Sequence, residues 1–466
     1  MSSLHNALNF YGSFLNLKEE PWVVDEAFVQ RLWFEQVYKD ELVTLTGEKI
    51  RLLQPGFWNH SAGPDFTRAC LVDGAGHREV GAVEIHCEAS AWKQHGHEAD
   101  PHYDEVILHV VWKAGPKLFF AGDSKRRSVR TVELSSQLKV PLAEVRRHFY
   151  SKESERKVGA RVGLCQRELA QLSVQETINL LEEAGWYRFQ KKAELWSMRR
   201  QNLGWEQALW LGLADALGFS QNREAFKSLA QRLPIESLRQ EKSALKREAL
   251  LFGLAGFLPE RSLPKEKKAH EWFRSLWDEW WQVRAEWEEQ SLLKKSWVLR
   301  GVRPLNRPER RLAVLSLLSE PALWKKFSDC AQNADYKSME YFMSGLSHPF
   351  WDKHSTLQSA ASRTIQLMGK DRVMRFWFNV VGPLALAEGA SDVRSKLEKM
   401  KTSEVMHPAS VAALRLLDGR NMGSGGRSLL VKEGLLQVYQ DFCLKDEEQC
   451  AGCAFPELVE NWGKSK

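Results

Sequence analysis

Residues 64–86, PDFTRACLVDGAGHREVGAVEIH, hold two runs of strand-forming residues on either side of a turn. The first run, 66–72, and the second, 80–86, are rich in Val, Leu and Ile and bounded by Asp, Gly and His, which is the signature of short strands. Asp73, Gly74, Ala75 and Gly76 join them as a hairpin turn. Side chains alternate along a strand, so Glu84 and His86 fall on one side of the sheet. Asp65 stands at the entrance of the first strand and faces Glu84 when the hairpin pairs. Two carboxylates so placed hold Mg²⁺ or Mn²⁺, and such an ion polarises a phosphate, acidifies an attacking water and shields the leaving oxygen. His86 would orient or deprotonate that water, which makes Asp65, Glu84 and His86 the candidate catalytic constellation.

Working outward, residues 26–38 place Phe28, Leu32, Trp33 and Val37 at helical spacing. Residues 49–53 and 106–112 read as further strands, 89–94 as a short helix, and 131–134 as a strand completing the sheet. The order is helix, strand, hairpin, helix, strand. From Ser173 the character changes: Ser173 and Glu176 have the spacing of a capping box, and Leu180, Leu181, Ala184 and Tyr187 continue a helical stripe. Residues 205–217, 241–254, 265–290 and 310–318 are helical too, separated by Pro234, Pro259 and Pro304. The expected class is α+β, with a mixed α/β domain over 1–150 and a larger all-α domain over 151–466. Trp272, Trp277, Trp280 and Trp281 follow one another along a single helix and read as core rather than as a base-stacking platform. No fixed-period repeat is present.

A chain of 466 residues exceeds the roughly 250–300 at which single cores stop growing, so two domains are expected. No window approaches the roughly 18 consecutive apolar residues of a membrane span, and the first fifteen residues lack a basic segment followed by an apolar one. The expectation is a cytoplasmic protein. The formal charge of +6 says little, but residues 125–161 are locally basic, with Lys125, Arg126, Arg127, Arg130, Arg146, Arg147, Arg156, Lys157 and Arg161. Such a stretch suits a phosphate backbone, which makes nucleic acid the expected partner, or else forms a solvated face beside a linker.

Seven of the 13 histidines lie between His60 and His109: His60, His77, His86, His95, His97, His102 and His109. Asp65, Glu84, Asp100 and Asp104 share that window, so oxygen and imidazole ligands for a divalent cation are concentrated there. His77 belongs to the hairpin turn. His95 and His97 flank Gly96 in a tight polar loop, and His97 joins the candidate catalytic set.

Pro64-Asp65 and Glu84-Ile85-His86 on adjacent strands resemble the PD-(D/E)XK phosphodiesterase superfamily, whose αβββαβ core carries a Pro-Asp and a Glu-x-Lys. The resemblance covers about the first 140 residues and implies a restriction-endonuclease-like fold with Asp65 and Glu84 as metal ligands. His86 stands where that pattern has lysine and brings no permanent ammonium charge. Some members add a helical Glu upstream, for which Glu35 is the candidate. Over nearly the whole chain the sequence resembles the bacterial domain-of-unknown-function family 2851. Gly63-Pro64-Asp65-Phe66, Val83-Glu84-Ile85-His86, Trp92 to His97 with Asp100, Tyr103-Asp104 before 106–111, and the terminal cysteines carry that likeness.

The 7 cysteines are odd in number and widely spread, which argues against a disulfide framework. Cys443, Cys450 and Cys453 cluster near the end, the last two in a Cys-x-x-Cys spacing that lets both sulfurs reach one metal. Cys165 is the candidate fourth ligand of a Zn²⁺ or [4Fe–4S] site. Cys70, Cys87 and Cys330 read as ordinary thiols. Three functions compete: a divalent-metal phosphodiesterase acting on DNA or RNA, a non-catalytic nucleic-acid or protein-binding scaffold on a degenerate nuclease fold, and a small-molecule metallohydrolase using the histidines as Zn²⁺ ligands.

Overall fold

The structure is a computed structural model, described here for residues 24–59, 63–115, 121–122, 128–139, 141–142, 145, 163–219, 221–258, 264, 266–299, 302–402, 407–443, 450 and 452–464. It is α+β, with an N-terminal sheet and a larger helical C-terminal part. By contacts the chain divides into two compact units: one joins 23–139 to 196–384, and the described part of the other joins 140–195 to 385–466. The change of secondary structure after the sheet and the division by packing therefore fall at different places along the chain.

In the first unit, helix α1 (Glu26–Phe34) is capped by Asp25, whose carboxylate accepts the Phe28 N–H at 2.8 Å. It buries Phe28, Val29, Leu32, Trp33 and Phe34. The helical pattern extends to Tyr38, but the helix stops at Phe34 because Gln36 takes a left-handed φ of 56°. Strands β1 (Glu41–Val43), β2 (Lys49–Gln54), β3 (Phe57–Trp58), β4 (Phe66–Asp73), β5 (Arg78–Glu88), β6 (Val106–Lys113) and β7 (Arg130–Glu133) form one sheet. Its order is β1-β2-β4-β5-β6-β7, with β3 on β4. β1, β2, β4 and β5 run antiparallel in turn, and β5, β6 and β7 are parallel. β1 and β3 are too short to show a sequence period.

The β4–β5 turn closes as the sequence predicts, with Asp73 accepting the Ala75 and His77 N–H groups at 2.9 Å and Gly76 at φ +88°. Gly81 has a different purpose. A Cβ there would lie 2.5 Å from the Glu105 carbonyl, so only glycine lets the start of β6 close against β5. The parallel β5–β6 crossover contains the short helix α2 (Ala91–Gln94) and two 3₁₀ turns, His97–Ala99 and Pro101–Tyr103.

Helices follow from residue 166 onward, and the capping box is present: Ser173 Oγ accepts the Glu176 N–H at 3.2 Å while Glu176 accepts the Ser173 N–H at 2.8 Å. Two expectations need correction. The C-terminal part is not purely helical, because a small hairpin pairs His354–Thr356 with Ser359–Ala360. Nor are all four tryptophans of helix Lys267–Trp287 core: Trp280 is buried, but Trp281 is 51% exposed and stacks on Trp277 outside the stripe Ala269, Phe273, Leu276 and Trp280. Among the described residues no helix is long and apolar enough to cross a membrane.

In the second unit, the part of helix Val174–Leu203 up to residue 195 and helix Leu429–Val438 approach at Gly185 and Gly434. A Cβ on Gly434 would stand 1.8 Å from the Leu181 carbonyl oxygen, and one on Gly185 2.2 Å from that of Leu430. Arg188 donates to Glu433 at 2.8 Å beside this crossing.

Candidate metal centre

Three backbone devices bring the site together. α1 runs past the start of β4, so that Gln30 Nε2 donates to Asp65 Oδ1 at 2.8 Å. The β4–β5 pairing then lets the Asp65 N–H donate to Glu84 Oε2 at 3.0 Å, while the Ile85 N–H donates to Asp65 Oδ2 at 3.0 Å. Finally Gly96, at φ +76°, turns the chain between α2 and the first 3₁₀ turn and directs His95 and His97 to the same place.

Glu84 Oε1 lies 3.2 Å from His97 Nε2 and 3.6 Å from His86 Nε2. His86 Nε2 lies 3.1 Å from His95 Nδ1. One ligand nitrogen from each of His86, His95 and His97 falls within 4.8 Å of the others. On its far side, His86 Nδ1 meets His109 Nε2 at 2.9 Å, and His97 stacks on Tyr103 with ring centroids 3.8 Å apart. With the His86 proton on Nδ1 and donated to His109, the Nε2 lone pair faces the cluster. Trp92 is fully buried against His97 and His109, and its indole N–H donates to the Gly122 carbonyl at 2.9 Å.

The electrostatics follow from burial. Glu84 is 6% exposed, and desolvation with the neighbouring Asp65 charge raises its pKa; desolvation likewise raises that of Asp65. Burial brings His86 down to about 3 and His97 down to about 4, and holds His109 well below its ordinary value. Burial thus works against charge on Glu84 and on both imidazoles at the short Glu84–His97 and Glu84–His86 approaches. A cation reverses this. It would draw both carboxylates into the charged form and take up the imidazole lone pairs. His97 Nε2 is buried without a hydrogen-bond partner, which fits a nitrogen reserved for a ligand. By donor chemistry and placement, His86, His95 and His97 are the residues that could hold a divalent metal, with Glu84 and Asp65 beside them.

Alternation along β5 places Glu84 and His86 together as the sequence predicts, and Asp65 adjoins Glu84 through its backbone. Glu35 is a correction. It is buried between Lys227 and Arg199, and although burial would raise its pKa, these two cations hold it well below the ordinary range. Glu26, on the same helix, is the acid whose charge acts on Asp65 and Glu84, and burial raises its own pKa. Glu26 and Gln30 share a face because they are four residues apart, a spacing legible in the sequence. His109 also gained a role only in the structure, since β6 pairs parallel to β5 with Glu84 opposite it. His77 and His102 are exposed beside Asp73 and Asp100, and His60 lies outside the described residues. Of the basic stretch, Arg130 is described and is already paired, at 2.9 Å with Glu48 and 2.6 Å with Glu79. Lys125, Arg126, Arg127, Arg146, Arg147, Arg156, Lys157 and Arg161 lie outside the described residues.

In the second unit, Cys165, Cys443, Cys450 and Cys453 line one pocket with Arg415 and Phe455. Burial and the neighbouring thiols push Cys165 up to about 12, and burial pushes Cys443 up to about 11. Cys70, Cys87 and Cys330 are free thiols elsewhere.

No curated protein and no solved structure matches this chain. A family model described as a protein of unknown function, DUF2851, matches residues 26–407, which include Asp65, Glu84, the three clustered histidines and Cys165 but end before Cys443. The chain belongs to the DUF2851 family.

Proposed function

We propose that the protein is a divalent-metal-dependent phosphodiesterase acting on DNA or RNA, with its metal held by Glu84 and the clustered imidazoles beside Asp65. The observation that carries this reading is the Asp65–Glu84 contact on adjacent antiparallel strands, with His86 two residues further along the same face. The αβββαβ order of α1, the β2-β4-β5 meander, α2 and the parallel β6 supports a restriction-endonuclease-like assignment. A metal bound there would supply Lewis acidity at a phosphoryl oxygen and a more acidic water. Asp65 orients that water, and Gln30 and the Ile85 N–H hold its carboxylate in place. His97, which burial keeps neutral, accepts the proton when it is not engaged as a ligand. His86 does not replace lysine as a permanent charge and contributes a nitrogen instead. Purified protein with Mg²⁺, Mn²⁺ or Zn²⁺ is expected to cut single- or double-stranded substrates, and Asp65→Ala and Glu84→Ala to abolish cutting with the fold intact. Undiminished cleavage in both variants would refute the assignment.

The imidazole content of the site favours a second reading. Three histidine nitrogens within 4.8 Å form a donor set that selects Zn²⁺ over Mg²⁺, as a hydrolase of smaller substrates would require. Stoichiometric Zn²⁺ that is lost in His95→Ala and His97→Ala, with no cleavage of any nucleic acid, would favour it.

A further inference from the structure

Cys165 sits at the N-terminus of helix Gln166–Gln171, Cys443 ends the π-helical turn Tyr439–Cys443, and Cys450 and Cys453 lie beyond it, so three separate stretches of chain deliver four thiols to one pocket. We propose that these four cysteines hold a thiolate-bound metal centre, a zinc ion or an iron–sulfur cluster, separate from the histidine site and independent of the proposed hydrolysis.

Three features support it. The Cys-x-x-Cys segment is already turned: Cys453 N–H donates to the Cys450 carbonyl at 3.4 Å, Gly452 has φ +81°, and Cys450 itself is held at φ +76°. A non-glycine residue in that region is strained, which a ligand that fixes the sulfur offsets. Secondly, the buried Arg415 donates from Nη2 to Cys450 Sγ at 3.2 Å. Four thiols that bind a metal release their protons to give a centre of net negative charge, and a guanidinium at the sulfurs offsets it. The Arg415 backbone also accepts the Gly163 N–H at 2.8 Å, which fixes the chain just before Cys165. Thirdly, Gly163 leaves room for the sulfur, because a Cβ there would press on Cys165 Sγ at 3.2 Å. Soft thiolate donors in this number select Zn²⁺ or iron–sulfur chemistry over Mg²⁺ or Ca²⁺.

The test uses the full chain purified without oxygen, with elemental analysis and a visible spectrum. Zinc without visible absorption identifies the ion; iron with sulfide, and a broad absorption bleached by dithionite, identifies the cluster. Either metal should be lost in Cys443→Ser and Cys453→Ser, and kept in Cys330→Ser and in the His95→Ala, His97→Ala double variant. Arg415→Gln should release it to a chelator about tenfold or more faster, the scale of an outer-sphere partner. If the serine variants do not fold, the wild-type chain still decides: stripping the metal should raise the number of thiols that react with a disulfide reagent. Equal metal content in wild-type and cysteine variants overturns the proposal. So does a wild-type chain with no tightly held metal, with these cysteines found as disulfides or with thiol reactivity unchanged by chelators.

Discussion

The backbone N–H of Asp65 donates to Glu84 Oε2 at 3.0 Å, so the frame of the β4–β5 hairpin itself ties the two acids together. The other Glu84 oxygen is thereby turned toward His97 and His86. A carboxylate anchored by one oxygen and presented by the other is a rigid donor.

That anchoring leads to a pH prediction for metal-free protein. The folded-state pKa of Glu84 is raised above its ordinary 4.5, so its contribution to stability is present below that value and lost as pH rises through the raised one. Glu84→Gln should therefore raise the melting temperature of metal-free protein at pH 8 more than at pH 5, while calorimetry finds metal binding abolished. A variant less stable than wild type at pH 8 would contradict the electrostatic account.

His109 meets the cluster at His86 Nδ1. His109→Phe keeps an aromatic ring in the buried site but frees the His86 ring to choose its tautomer. Titration calorimetry should show metal affinity lower by about 10–100-fold with unchanged stoichiometry.

Asp215 accepts from Arg223 Nε at 2.6 Å and from a second guanidinium nitrogen. Burial would raise its pKa, but Arg223 lowers it from 3.8 to about 2. This stabilisation, about 2 kcal/mol, is complete above the unfolded-state value and is lost as pH falls toward the folded one. Asp215→Asn should cost about 2–3 kcal/mol at pH 7 in urea unfolding, at or below the lower end for a broken buried pair because the Arg223 side chain is 36% exposed. The difference from wild type should shrink as pH falls from 3.8 through about 2.

Gly434→Ala tests the helix crossing of the second unit. Its Cβ would meet the Leu181 carbonyl at 1.8 Å, and backbone cannot swing aside as a side chain can. A loss of at least about 1–3 kcal/mol is expected in chemical unfolding.

Arg130 separates structural from phosphate-facing charge. Arg130→Gln removes its pairs with Glu48 and Glu79 and should lower stability modestly. It should leave the salt dependence of nucleic-acid binding unchanged, whereas replacing Lys125, Arg126 and Arg127 together should flatten it. Equal flattening by both changes would mean that Arg130 also contacts phosphate.

Local pattern alone determined much of this protein. Alternation in Val83-Glu84-Ile85-His86 put the acid and the imidazole on one face, and the Asp73 to Gly76 turn fixed the pairing that brings Asp65 to Glu84. The capping box at Ser173 and the helical periods beyond it were legible for the same reason: each depends on residues a few positions apart. What depends on distant pairing was decided by tertiary structure. Glu35, equally acidic in sequence, is neutralised by Lys227 and Arg199 from helices far along the chain, while Glu26, one face away on α1, lies near the carboxylates. The convergence of His95 and His97 on Glu84, and of His109 on His86, required the parallel β5–β6 pairing and a left-handed glycine in its crossover. Sequence spacing specifies which side chains share a face; only the register between separated strands and the burial it creates specify which atoms meet and which charge they carry.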